Sequence, residues 1–185
     1  MWLSDKDKAD VARIEKYLNA ITTLDARFLQ VTSLGDFAEG RLAMSRPGRI
    51  RIDYDDPNPV LIVANYGTIK YVDRELDQIS HFPLDETPVG LLLGQNVRLL
   101  SDDILITNIE RGAGAIRVSL RRSEDPRQGE ITLAFSLKPL KLMKWDVIDA
   151  QGLLTAVVLQ GARFGVPLKD DLFKYDLPEK ADPRS

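Results

Sequence analysis

Few residues in this chain are equipped for chemistry, and those few are poorly placed. There is no cysteine and a single histidine, His81, which removes thiol nucleophiles, disulfides and any multi-histidine metal site. His81 falls at a strand end close to Pro83 without a recognisable partner, so it reads as a surface residue rather than a general base. Two adjacent carboxylate pairs occur, Asp102-Asp103 and Asp170-Asp171. Strand neighbours point to opposite faces, so neither pair can share a site, and both read as solvated turn carboxylates. No GxSxG, Walker glycine loop or HExxH is present. The sequence therefore predicts no catalytic residues, no metal site, no cofactor and no enzymatic activity.

One residue type is out of place. In Met44-Ser45-Arg46-Pro47-Gly48-Arg49-Ile50, Arg46 has the strand parity of Leu42 and Met44, which puts a guanidinium at the rim of an apolar face. Two readings are open. In one, the strand has ended and the side chain bends into water ahead of the Pro47-Gly48 turn. In the other, Arg46 keeps its parity at the mouth of a barrel. Burying it unpaired would cost several kcal/mol, so the free carbonyls at a covering helix's C-terminus would have to accept from it.

The elements that position these residues are legible from periodicity. Ser4 is a plausible N-cap with Asp5 and Asp7 in the first turn, and Val11, Ile14, Leu18 and Ile21 recur at helical spacing. From about Asp25 the period becomes 2. Phe28 on the first strand, Leu42 and Met44 on the second, and Ile50, Ile52 and Tyr54 on the third share one face, opposite Arg49, Arg51 and Asp53. Later runs repeat the pattern: Ile116, Val118 and Leu120 oppose Arg117, Ser119 and Arg121, and Leu133 and Phe135 oppose Thr132 and Ala134. Asn65-Tyr66-Gly67 and Gly112-Ala113-Gly114 mark hairpin turns. The tail from Asp171 to Pro178 is expected to add a short final strand.

The count is about eleven antiparallel strands in meander order, which predicts a mainly β protein with helices (α+β), its sheet curled into a closed or partly closed barrel. Eleven strands enclose more space than eight, whose side chains just fill the interior. The helices must occupy the rest. One is the N-terminal helix; the other is "TPVGLLLG", with Thr87 as cap, Pro88 in the first position and Gly94 closing it. Its Val89, Leu91, Leu92 and Leu93 are too apolar to be exposed, and read either as ordinary core or as a lid.

Composition narrows the function. A chain of 185 residues is expected to form one domain over 1–185. With 25 basic and 28 acidic residues, net charge −3, it carries no footprint for nucleic acid and no polybasic run for an anionic membrane. No apolar run approaches the roughly 20 residues of a membrane span, and the opening "MWLSDKDKAD" contains no signal peptide.

The whole pattern resembles the outer-membrane lipoprotein carrier (LolA) family across roughly residues 8–178. Phe28-x-Gln30 is similar to its FxQ, and Gly40 to Tyr54, "GRLAMSRPGRIRIDY", to its glycine, apolar strand, Arg-Pro-Gly and Arg-bearing strand. "VLIVANYGTIKYVDRELDQIS" resembles its next hairpin, "TPVGLLL" its proline-led lid helix, and "DAQGLLTAVVL" its late strand pair. One departure is that Ile50 and Ile52 stand where the family often has aromatics.

The resemblance implies an unclosed eleven-stranded antiparallel barrel whose mouth is closed by a helical lid, Pro88 to Leu93. It implies a periplasmic carrier, a monomer by expectation, with Arg46 as lid latch and Phe28, Leu42, Met44, Ile50, Ile52, Tyr54, Ile116, Val118, Leu120, Leu133 and Phe135 lining an acyl cavity. The implied cargo is acylated lipoproteins. The implied partners are an inner-membrane ABC-type release complex and an outer-membrane lipoprotein receptor. Lipid-binding and envelope-stress sensor modules share such folds and stand as the alternative.

Overall fold

The computed structural model describes residues 2–175 apart from Pro88, Asp125, Pro126 and Gln128. Helix α1 spans Asp5–Ala20. Its start is a capping box: the Asp7 amide donates to Ser4 Oγ at 3.2 Å, and the Ser4 amide donates to Asp7 Oδ2 at 3.0 Å. Val11, Ile14, Leu18 and Ile21 are buried, as their spacing predicts.

Six strands follow: β1 Thr23–Thr32, β2 Phe37–Ser45, β3 Arg49–Tyr54, β4 Val60–Asn65, β5 Thr68–Asp73 and β6 Gln78–Pro83. A 3-10 turn, Leu84–Glu86, leads to the single-turn helix α2, Gly90–Leu93. Then come β7 Ile104–Gly112, β8 Ala115–Arg122, β9 Glu130–Leu137, β10 Leu140–Ile148 and β11 Leu154–Phe164, and a last 3-10 turn, Asp170–Phe173. All eleven strands form one antiparallel sheet in the order β6-β5-β4-β3-β2-β1-β11-β10-β9-β8-β7. The barrel is open. Its unpaired edges are β6 and β7, and the segment joining them carries α2. The two halves of the meander are joined by β1 and β11, paired from Leu24↔Phe164 to Thr32↔Thr155.

The concave face is the apolar one. Phe28, Leu42, Met44, Ile50, Ile116, Val118, Leu120, Leu133 and Phe135 are buried in one cluster with the α1 residues, and Ile52 and Tyr54 pack against it partly buried. Gly40 explains part of this packing. It lies opposite Phe28 on β1 and Tyr54 on β3, whose rings meet edge-on at 5.3 Å and 88°. A Cβ there would collide with the Asp53 carbonyl and come within 2.7 Å of the Phe28 ring. Tyr54 donates to Gln30 Oε1 at 2.8 Å, and burial pushes its hydroxyl up to about 12.

Two expectations about elements are corrected. The tail forms no strand within the described residues: it turns at Asp170–Phe173 and buries Phe173. β11 ends in the middle of the sheet, between β1 and β10, where no free edge is available. The lid helix is also shorter than "TPVGLLLG". Thr87 Oγ1 does accept from the Gly90 amide at 3.2 Å, but Gly94 follows α2 at φ −59°, not in a left-handed cap. Pro88 lies outside the described residues.

Candidate functional site

The β2–β3 turn delivers Arg46 to the barrel mouth. The Arg46 amide donates to the Thr22 carbonyl at 2.8 Å, and the Gly48 amide donates to the Leu93 carbonyl at 2.8 Å, so the turn is stitched both to the entry of β1 and to the lid. Gly48 holds φ +73°, a backbone conformation that favours glycine.

The Arg46 side chain keeps the parity of Leu42 and Met44 and does not bend into water. Nη1 donates to the Leu18 carbonyl and, at 3.4 Å, to Ile21; Nη2 and Nε donate to the Gly94 carbonyl at 2.8 and 3.2 Å; Nη2 also reaches Asn19 Oδ1 at 3.3 Å. Burial pushes its pKa down from the usual guanidinium value, yet the group stays charged at neutral pH. The Leu18 carbonyl at the end of α1 also accepts from the Ile21 amide at 3.2 Å, and a cation there suits the helix dipole. One planar group therefore clamps the end of α1 to the end of α2.

Behind this clamp the barrel is full. Leu92 and Leu93 are buried, and Val89 and Leu91 pack against the core partly buried. The remaining cavity is about 30 Å³, lined by Leu18, Ile21, Leu24, Leu42, Met44, Ile50, Val89, Leu92, Leu93, Leu142 and Trp145, with Arg46 at its edge.

Four residues of this site escape a reading from periodicity. Leu142 and Trp145 are three apart, which strand alternation assigns to opposite faces. The pairing of β10 with β9 shifts between Leu142 and Lys144, and this irregularity turns both inward. Asn19 and Glu15 are polar residues of α1 outside the apolar spacing of Val11, Ile14 and Leu18. In the fold they bind the segment after α2. Asn19 exchanges two hydrogen bonds with the Val97 backbone at 2.9 and 2.8 Å, and the Leu99 amide donates to Glu15 Oε2 at 2.7 Å. No local signal marks these contacts, because their partners are about 80 residues away.

The fold and its apolar, helix-covered interior define the class: an open antiparallel half-barrel of the LolA superfamily type. The structure is similar to a LolA superfamily protein from Nitrosomonas europaea (TM-score 0.52, 8% identity, 89% of this chain and 97% of that one). It is also similar to a putative outer membrane lipoprotein-sorting protein domain from Vibrio parahaemolyticus (TM-score 0.53, 10% identity, 88% and 94%). In sequence, residues 19–176 match the family described as outer membrane lipoprotein carrier protein LolA. The chain is 30% identical over 186 residues to an outer-membrane lipoprotein carrier protein of Pseudomonas fluorescens, covering 95% of this chain and 88% of that one. It belongs to the LolA family.

Proposed function

We propose that this protein is a periplasmic carrier that takes lipoprotein acyl chains into the barrel beneath α2 and moves them from the inner to the outer membrane. The observation carrying this reading is that Leu92 and Leu93 fill the space a chain would need, while Arg46 holds them there. An acyl chain gains about 0.8 kcal/mol per buried methylene, on the order of 10 kcal/mol in all. Returning Leu92 and Leu93 toward water costs about 1.5–3 kcal/mol each. The lid thus offsets much of the gain and leaves an affinity low enough for cargo to be passed on.

In this reading Arg46 is the lid latch, Val89 to Leu93 the lid and the concave apolar residues the acyl cavity, all within one domain acting as a monomer. An inner-membrane ABC-type complex supplies the cargo and an outer-membrane lipoprotein receptor accepts it. The carrier name of the Pseudomonas relative supports the reading. No helix among the described residues is long and apolar enough to cross a membrane. The test is mass spectrometry of the protein recovered from the periplasm of cells that export it. Lipoprotein bound one to one, and transferable to outer-membrane vesicles, is the expected result. Free lipid without lipoprotein would favour a lipid-binding or sensor module, and an empty barrel would refute both.

A further inference from the structure

The lid turn has two sides. Val89, Leu92 and Leu93 line the closed apolar cavity, while Gly90, Leu91 and Gly94 form one wall of an open groove of about 210 Å³. The other wall comes from Arg98 and Leu99 on the segment leading to β7, and from Arg122, which pairs with Ile104 where β8 meets β7. One acidic residue, Asp103, also lines the groove, so the lining carries two arginines against a single carboxylate.

Most arginines of this protein carry a carboxylate partner: Arg27 with Asp55, Arg41 and Arg163 with Asp25, Arg111 with Asp7 and Asp10, Arg117 with Asp146. Among the described residues neither Arg98 nor Arg122 forms an ion pair, and Nε of Arg122, like those of Arg49 and Arg121, is buried with no hydrogen-bond partner. A buried guanidinium donor left unmade is costly, and the planar fork of donors matches phosphate oxygens in bidentate geometry. The four-residue turn α2 separates this groove from the apolar cavity, so moving it joins the two.

We infer that Arg98 and Arg122 bind the phosphate of an anionic amphiphile whose acyl chain occupies the barrel. The inference rests on the proposed reading that an acyl chain enters beneath α2. It extends the ligand class from neutral acyl groups to phosphate-bearing lipids.

The experiment uses Trp145, which lines the cavity, as reporter in a Trp2→Phe background that removes the other tryptophan. Fluorescence titrations compare 1-oleoyl lysophosphatidic acid with monoolein, and calorimetry follows inorganic phosphate alone. The expected result is an affinity for the lysophosphatidic acid about tenfold above that for monoolein. Arg98→Gln/Arg122→Gln brings the two within about twofold and leaves monoolein unchanged. Asp103→Asn, which removes the opposing carboxylate and keeps both arginines, widens the preference. Equal affinities in the parent protein, or a preference that survives the double substitution, overturn the inference. Inorganic phosphate binding without any advantage for the phosphorylated lipid overturns the lipid assignment and leaves a free-anion site. If monoolein binds but phosphate adds nothing, only this inference falls; if monoolein leaves Trp145 unmoved, the carrier reading falls with it.

Discussion

Replacing Arg46 by leucine removes every side-chain donor that ties α2 to α1. On the lid side the loss is concentrated on the Gly94 carbonyl, which accepts from Nη2 at 2.8 Å and Nε at 3.2 Å. A hydrogen bond to a charged group contributes about 1.5–3 kcal/mol. Counting the Gly94 carbonyl as one acceptor worth about 2 kcal/mol shifts lid opening about thirtyfold. Opening is required for a chain to enter, since the closed cavity is only about 30 Å³. A protein whose competent state is rare binds with an affinity reduced by that rarity, so making it less rare tightens binding by the same factor. Arg46→Leu should therefore bind monoolein about thirtyfold more tightly and release it correspondingly more slowly. Arg46→Lys, which retains one cationic donor group, should fall between. The assay is the Trp145 titration in the Trp2→Phe background, with release followed by dilution into empty vesicles. An affinity within twofold of the parent protein, in a variant that melts normally, would refute the latch.

Other consequences follow from the same contacts. Leu93→Ser puts a hydroxyl where a fully buried leucine closes the cavity; faster amide exchange at Leu92 and stronger binding of a hydrophobic dye are expected, and unchanged exchange would count against the lid. Asn19→Ala removes both bonds to the Val97 backbone, about 1 kcal/mol each, and should speed exchange of the Val97 amide and lower the melting temperature by a few degrees. Gly40→Ala drives a Cβ into the Asp53 carbonyl as well as the Phe28 ring, at a cost of about 3 kcal/mol or more, which calorimetry should show as a melting temperature lower by several degrees; a Phe28→Leu second change relieves only the ring contact and should leave most of the loss. Asp25 is buried, and its carboxyl is held below the usual range, first by the Arg41 guanidinium and also by Arg163, against the cost of burial. Its folded pKa is depressed, so its contribution to stability is fully present above the ordinary carboxylate value and is lost as pH falls through the folded one. Asp25→Asn should lower the melting temperature at pH 7, and the gap to the parent should close as the pH drops below about 4.

The readable part of the sequence was the part governed by period. Val11, Ile14 and Leu18 had to share a helix face, and Leu42, Met44, Ile50 and Ile52 a strand face, because covalent geometry alternates side chains at 3.6 and 2 residues. Those residues form the core as expected. Gly48 was legible for a similar reason, since a tight turn after proline needs a residue that tolerates positive φ. Where the backbone departs from its period, reading fails. The irregularity in β10 brings Leu142 and Trp145 to the same cavity, and no rule of alternation places them together. The tail was read as strand from its composition, but composition says nothing about whether a sheet edge is free to receive one.

By itself the sequence determined an antiparallel meander with one apolar face and two helical segments to cover it. It left open whether Arg46 points into water or over the barrel, because parity on a strand says nothing about what lies across the mouth. Tertiary structure decided that by placing the carbonyls of Leu18 and Gly94 within reach of one guanidinium. It also decided that the gap in the barrel falls between β6 and β7, since β1 pairs with β11 more than a hundred residues away. α2 belongs to the segment that connects these two edges. These contacts depend on chain closure over long separations, whose free energy is shared by the whole sheet and written in no single stretch of it.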